Sequence, residues 1–237
     1  RIISTVNSLP YIFFKDNIYA LEEFVKGEIF PIDKENYFGI VGKHLALMHN
    51  EFIQKTISKK NLEKVLAQEG NFLSESNLIS MRIDLGNDQN NKFFLKEIAS
   101  FPETLSQIVN SFPDQIIHGD LNKSNLIWNG DNATTIDSET IRFSKRIRDF
   151  IPALLFEGNL DIPNYTPNSL KELTNSYDFY SNQKLSDNEK IILPELLKFS
   201  LIKSYVIYVL RKNLKDEKFK NQIIHNLRLV GGEINVH

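Results

Sequence analysis

Apolar positions along this chain follow two different periods, and the places where the period changes predict its elements. Tyr11 to Phe14 and Ile18 to Val25 are aromatic and β-branched runs separated by Lys15-Asp16-Asn17, which predicts a β-hairpin whose second strand closes at Gly27. From Asp33, an N-cap residue type, the apolar positions Tyr37, Ile40, Val41, Leu45, Leu47, Met48 and Phe52 recur at helical spacing to about Lys55. A shorter helix is expected over Lys59 to Gln68, ended by Gly70, and another over Lys92 to Ser111, stopping before Pro113. The Gly86-Asn87-Asp88-Gln89-Asn90-Asn91 cluster between them reads as a loop.

Period two returns in the middle of the chain. Gln115 to His118, Leu126 to Trp128 and Ala133 to Ile136 are short strand-like pieces, the last two joined by the turn signal Asn129-Gly130-Asp131-Asn132. Beyond residue 144 the pattern is helical again near 145–156, 168–180, 187–213 and 216–229, with Pro163, Pro167 and Ser186 at the breaks. The expected fold class is therefore α+β: a partial N-terminal β region over residues 1–27, then a mostly helical region over 28–237 that carries a small β-hairpin insert.

Composition narrows the possibilities. The chain has 237 residues and is 41% hydrophobic, enough to bury a sizeable core. With 28 basic and 30 acidic residues the formal charge is -2, so no global field draws it to nucleic acid or to an anionic membrane, and neither is expected as a partner. Cysteine is absent, which excludes disulfides and thiolate metal sites and fits a reducing compartment; the expected location is the cytoplasm. Lys198, Lys203 and Ser204 interrupt the apolar stretch Leu196 to Leu210, so it does not read as a membrane span.

The polar residues of greatest interest lie between the two central strands. The segment Ile117-His118-Gly119-Asp120-Leu121-Asn122-Lys123-Ser124-Asn125-Leu126 is followed after a turn by Ile136-Asp137-Ser138-Glu139. Apolar flanks pin the backbone in a core while the loop between them projects its polar side chains. Phosphoryl transfer from ATP asks for a carboxylate to orient and deprotonate the acceptor hydroxyl, together with oxygen ligands for magnesium. Asp120, Asn125 and Asp137 supply that set. Mg²⁺ keeps several waters and binds through one or two carboxylates plus phosphate oxygens, so no larger cage is needed.

At these residues the chain resembles the aminoglycoside phosphotransferase and choline kinase family of protein-kinase-like small-molecule kinases. The family's catalytic loop reads H-G-D-x-x-x-x-N and its metal acid follows on a hairpin; the match covers His118 to Asn125 and Asp137. Taking each fixed residue as about one in twenty, the loop pattern arises by chance in such a chain roughly once in a thousand. The resemblance implies that Asp120 is the catalytic base, that Asn125 and Asp137 bind magnesium, and that His118 holds the loop in shape. It implies a hinge at Tyr19 to Glu28, where Glu23, Phe24 and Val25 meet the adenine edge of ATP, and a bracing role for Asp149. Under it, residues 1–27 are the remnant of a nucleotide-binding lobe and 28–237 the catalytic and acceptor-binding lobe. His44 and His49, on a helix similar to the first of the family's larger lobe, are expected to be structural. Ser138 departs from the phenylalanine that relatives often carry there.

The expected activity is transfer of the γ-phosphoryl group of ATP to a hydroxyl of a small molecule such as an aminoglycoside, choline, ethanolamine, homoserine or a sugar. Glu157, Asp161 and Asp178 would suit a cationic acceptor. No glycine-rich loop or strand lysine precedes the hairpin, and the chain starts at Arg1, so a further N-terminal portion is expected. The same observation motivates the alternative of a catalytically inactive nucleotide-binding module with a regulatory or scaffold role. A metal hydrolase built on His118 and Asp120 lacks supporting histidine spacing.

Overall fold

The computed structural model describes residues 2–3, 12–14, 17–19, 21–29, 36–54, 75–86, 91–101, 105–129, 132–155, 167–211 and 216–230. The N-terminal hairpin forms as β2 (Ile12–Phe14) and β3 (Asn17–Tyr19), with Ile12 opposite Tyr19 and Phe14 opposite Asn17. The second apolar run does not continue as one strand to Val25. Its next piece, β4 (Leu21–Glu22), leaves β3 and pairs antiparallel with β1 (Ile2–Ile3), and residues 23–26 belong to no strand. Then β5 (Glu28–Ile29) pairs with β7 (Leu126–Asn129), which in turn pairs with β8 (Asn132–Thr135), giving a three-stranded sheet in the order β5-β7-β8. Gly27 sits so close to β7 that a Cβ there would lie 2.3 Å from the Trp128 carbonyl oxygen.

The helical part is organised on α1 (Tyr37–Gln54) and α6 (Pro167–Tyr180). Asp33, the expected N-cap of α1, and the expected helix over Lys59 to Gln68 lie outside the described residues. The periodic apolar face of α1 is buried through Val41 and Leu45 against Leu173 and Tyr177 of α6. The two backbones approach until a Cβ on Gly42 would stand 2.3 Å from the Leu173 carbonyl oxygen, so only glycine admits this packing.

Between α1 and the central strands lie α2 (Glu75–Leu85), α3 (Lys92–Ser100) and α4 (Leu105–Ser111). The single helix expected over Lys92 to Ser111 is thus two. Phe101 is extended (φ -63°, ψ 132°) because Pro102 follows it, and a residue before proline is pushed out of the helical region.

Strand β6 (Asp114–Ile117) pairs antiparallel with β9 (Arg142–Lys145), a strand that the helical reading beyond residue 144 overlooked. Lys145 fixes this register by an ion pair to Asp114 at 2.9 Å and a hydrogen bond to the Phe112 carbonyl at 2.6 Å. A 3-10 turn over Arg146–Asp149 leads into α5 (Phe150–Leu155), every residue of which is buried. Helix α7 (Asp187–Ser204) opens with a capping box made by Ser186 and Glu189, then runs into a π-helical segment (Tyr205–Arg211), and α8 (Glu217–Val230) follows. Tyr205 stacks on Phe94 at 3.8 Å between ring centroids, which joins α3 to the end of α7. Among the described residues, no helix is long and apolar enough to cross a membrane.

Candidate active site

The loop between β6 and β7 is held by its own side chains. Asn122 accepts the Ser124 N–H at 2.8 Å and so caps the 3-10 turn Lys123–Asn125. Its amide nitrogen donates to Asp120 Oδ1 at 2.8 Å. Asn125 Nδ2 donates to the Asp120 carbonyl oxygen at 2.8 Å and to Asp120 Oδ2 at 3.2 Å. Both carboxylate oxygens of Asp120 are therefore oriented, each by one amide, and each keeps a lone pair for a further donor.

The start of this loop is braced from beneath. Asp149, fully buried, accepts the His118 N–H at 2.8 Å on Oδ2 and the Gly119 N–H at 2.7 Å on Oδ1. Oδ2 also meets His49 Nε2 at 3.2 Å, and His49 Nδ1 meets the Tyr177 hydroxyl at 3.0 Å. A continuous hydrogen-bonded chain thus runs from α6 through α1 to the backbone of His118 and Gly119. Here His49 is structural. The carbonyl of His118 accepts from Thr140 Oγ1 at 2.8 Å, and the carbonyl of Gly119 from Arg142 Nη2 at 2.7 Å. Gly119 has φ +86° and a Cβ there would lie 2.6 Å from the Thr140 carbonyl oxygen, two independent reasons for glycine.

The loop carrying Asp137 is reached through the same sheet. Leu126 is opposite Thr135 in the β7–β8 ladder, and the Ile136 N–H donates to the Asn125 carbonyl at 2.9 Å. His118, almost completely buried, bonds the Ile136 carbonyl through Nε2 at 3.2 Å. The loop of His118, Asp120 and Asn125 and the start of the loop of Asp137 therefore lie at one end of the β7–β8 hairpin. Asp137 is exposed and left-handed (φ 62°, ψ 68°), and it makes no side-chain capping bond to the 3-10 turn Ser138–Thr140 that follows.

Among the described residues, no three His, Cys, Asp or Glu side chains group as a metal cage. The donor chemistry that is present fits an open, hard-cation site: one exposed carboxylate, and one carboxamide whose nitrogen donates to Asp120, which leaves its oxygen as the available acceptor.

An open, largely apolar cleft of about 380 Å³ lies behind this loop, lined by His44, Met48, Phe52, His118, Ile136 and Ile141. His44 Nε2 is hydrogen-bonded to Thr135 Oγ1. Burial, and secondarily the nearness of His118, pull the His44 pKa down to about 4, so its imidazole is neutral at physiological pH.

Glu23, Phe24 and Val25 are not part of this loop cluster. They lie in the unpaired segment before β5, which joins the hairpin at Trp128 and Ile127, and Phe24 is 85% exposed. Asp178 is not free for an acceptor: its carboxylate takes the Leu185 N–H at 2.8 Å and an ion pair from Lys190 at 2.6 Å. Glu157 and Asp161 lie outside the described residues. Asn122, Thr140, Arg142 and Tyr177 are the members of the site that the sequence reading missed. For Arg142 a signal existed, since Ile141 and Phe143 alternate with Arg142 and Ser144 as in a strand.

This arrangement of a small N-terminal β region, a hairpin insert and a helical remainder is the protein-kinase-like fold of the aminoglycoside phosphotransferases and choline kinase-like enzymes. Solved structures with this fold include an aminoglycoside phosphotransferase from Alicyclobacillus acidocaldarius, 16% identical, covering 98% of this chain and 75% of that one with a TM-score of 0.62. An amicoumacin kinase in complex with AMP-PNP and Ca²⁺ is 12% identical over 98% of this chain and 72% of its own, with a TM-score of 0.62. Aminoglycoside 2'-phosphotransferase-IIIa in complex with GDP is 14% identical over 98% and 73%, with a TM-score of 0.59. No protein-family model matches the sequence, and no curated protein matches it.

Proposed function

We propose that this protein transfers the γ-phosphoryl group of a nucleoside triphosphate, ATP in the first instance, to a hydroxyl of a small molecule. The observation that carries the reading is the meeting of the loop of Asp120 and Asn125 with the start of the loop of Asp137 at one end of the β7–β8 hairpin, with the Asp120 carboxylate aimed by two amides. Asp120 accepts the proton of the acceptor hydroxyl as the new O–P bond forms and the bond from the γ-phosphorus to the β,γ-bridging oxygen breaks, releasing the nucleoside diphosphate. Asn122 and Asn125 keep that carboxylate pointed, and Asp149 keeps the loop backbone from moving under it. The carboxamide oxygen of Asn125 and the carboxylate of Asp137 would hold Mg²⁺, which would supply positive charge against that developing on the leaving diphosphate. The backbone of Glu23 to Val25 receives the edge of the nucleotide base.

Support for a nucleotide donor comes from the fold, shared with structures bound to GDP and to AMP-PNP with Ca²⁺. Acceptors are expected among aminoglycosides, choline and ethanolamine, homoserine and sugars. The test is a panel of these with the full-length protein, ATP or GTP, and Mg²⁺, following nucleotide consumption. Acceptor-dependent turnover that disappears in Asp120→Ala is expected. Nucleotide binding with no acceptor-dependent turnover would favour an inactive nucleotide-binding module, and neither binding nor turnover would overturn both.

A further inference from the structure

Arg142 is the first residue of β9 and lies opposite Ile117, the last residue of β6. The strand register therefore sets its side chain beside the point where the backbone enters the loop of Asp120. Two observations tie its guanidinium to Gly119. Nη2 donates to the Gly119 carbonyl at 2.7 Å, and a Cβ built on Gly119 would lie 2.8 Å from both Cζ and Nε of Arg142. The glycine thus leaves the room that the guanidinium fills.

The Gly119 carbonyl and the Asp120 N–H belong to one rigid peptide plane, so fixing the carbonyl fixes the direction in which Asp120 leaves the backbone. The N–H on the other side of Gly119 is held by Asp149. Thr140, just before β9, holds the neighbouring His118 carbonyl. A single short stretch after Asp137 therefore grips two successive carbonyls of the loop that carries Asp120. A hydrogen bond from a charged guanidinium is stronger and more directional than a neutral one.

We propose that Arg142 is a positioning residue for phosphoryl transfer: it locks the Gly119–Asp120 peptide plane so that the Asp120 carboxylate is aimed before the acceptor arrives. The role rests on the phosphotransfer reading above. Arg142 also stands in the strand that follows the loop of the candidate metal acid, so the two loops are joined through it.

The experiment compares the full-length protein with Arg142→Met and Arg142→Lys, measuring Mg²⁺-dependent nucleotide turnover with the best acceptor of the panel, KM for nucleotide, and backbone hydrogen exchange. In R142M, kcat is expected to fall about ten- to a hundredfold with KM for nucleotide within about twofold of the parent. Exchange should quicken at residues 118–121 and stay slow in α1 and β6, and R142K should recover part of kcat. Parental kcat in R142M, or unchanged exchange in the loop, overturns the proposal. So does a loss of protection throughout α1 and β6, which would mark a packing role only. If R142M does not fold, Arg142→Gln takes its place with the same expectations. If the parent itself consumes no nucleotide, the phosphotransfer reading fails and the catalytic part of the proposal with it, while exchange quickened only at residues 118–121 still sustains the locking of the Gly119–Asp120 peptide by Arg142 and unchanged exchange rejects it.

Discussion

The loops that carry Asp120 and Asp137 meet at one end of the same hairpin but are built on opposite plans. In the first, N–H and C=O groups at consecutive residues each have a fixed partner: Asp149 for the amides of His118 and Gly119, Thr140 and Arg142 for their carbonyls. In the second, Ile136 is anchored to Asn125 and His118, yet Asp137 itself is exposed, left-handed and without a capping bond. Under the proposed function, the contrast fits different duties. A base must be aimed before its partner arrives, so its loop is rigid in advance. A metal acid finds its geometry when ion and phosphate come together, and a residue held at positive φ stores strain that ligation can offset.

The sharpest way to break this comparison is at Asp120. Asp120→Asn should lower turnover by about 10²- to 10⁴-fold while leaving the melting temperature near that of the parent; parental turnover in steady-state kinetics would remove Asp120 from the proposed chemistry. Next comes Asp149→Ala, which removes a buried anion and strands two amides. A loss of about 3–5 kcal/mol in denaturant unfolding is expected, and a variant as stable as the parent would show that the first loop needs no brace.

The pH dependence of stability probes the contact between α1 and β8. His44 has a folded pKa of about 4 against 6.5 when free. Between those values the unfolded chain binds more protons than the folded one, so stability rises with pH and is complete above about 6.5. From that plateau, up to about 3 kcal/mol should be lost as pH falls to 4, and His44→Gln should flatten the curve. An unchanged curve would mean that His44 is solvated.

The smallest effect on stability is expected at Asp137, where Asp137→Gly should gain about 1 kcal/mol by releasing the left-handed strain while Mg²⁺-dependent nucleotide binding is lost. Asp137→Ala should lose the binding without the gain. Equal stability in the two variants would mean that no strain is held there.

How much of this was visible in the sequence depends on how far apart in the chain the partners are. The loop of Asp120, the β7–β8 hairpin and the helices from α6 onward were legible because spacing, turn residues and capping signals are local; Ser186 is an example, marked as a break and found as half of a capping box. Helix α2 was not legible. Its apolar residues point several ways, with Met81 and Leu85 buried but Ile79 and Ile83 exposed, so no single face announces it. Strand β9 was hidden by the helical segment that follows, although Ile141 and Phe143 alternate with polar neighbours. Asp149 was reached through the resemblance, but the partners behind it were not: His49 meets Asp149 across 100 residues and Tyr177 across 128, and periodicity carries no information about such pairings.

The hydrogen-bonded chain from Tyr177 has a practical corollary for anyone wishing to move this loop onto another scaffold. Its eight-residue motif would arrive without the anchor that shapes it, because that anchor is threaded through two helices from distant parts of the gene. A transplant succeeds only if the helix pair travels with it. By the same reasoning, and under the proposed function, damage at Tyr177 should surface as slowed turnover.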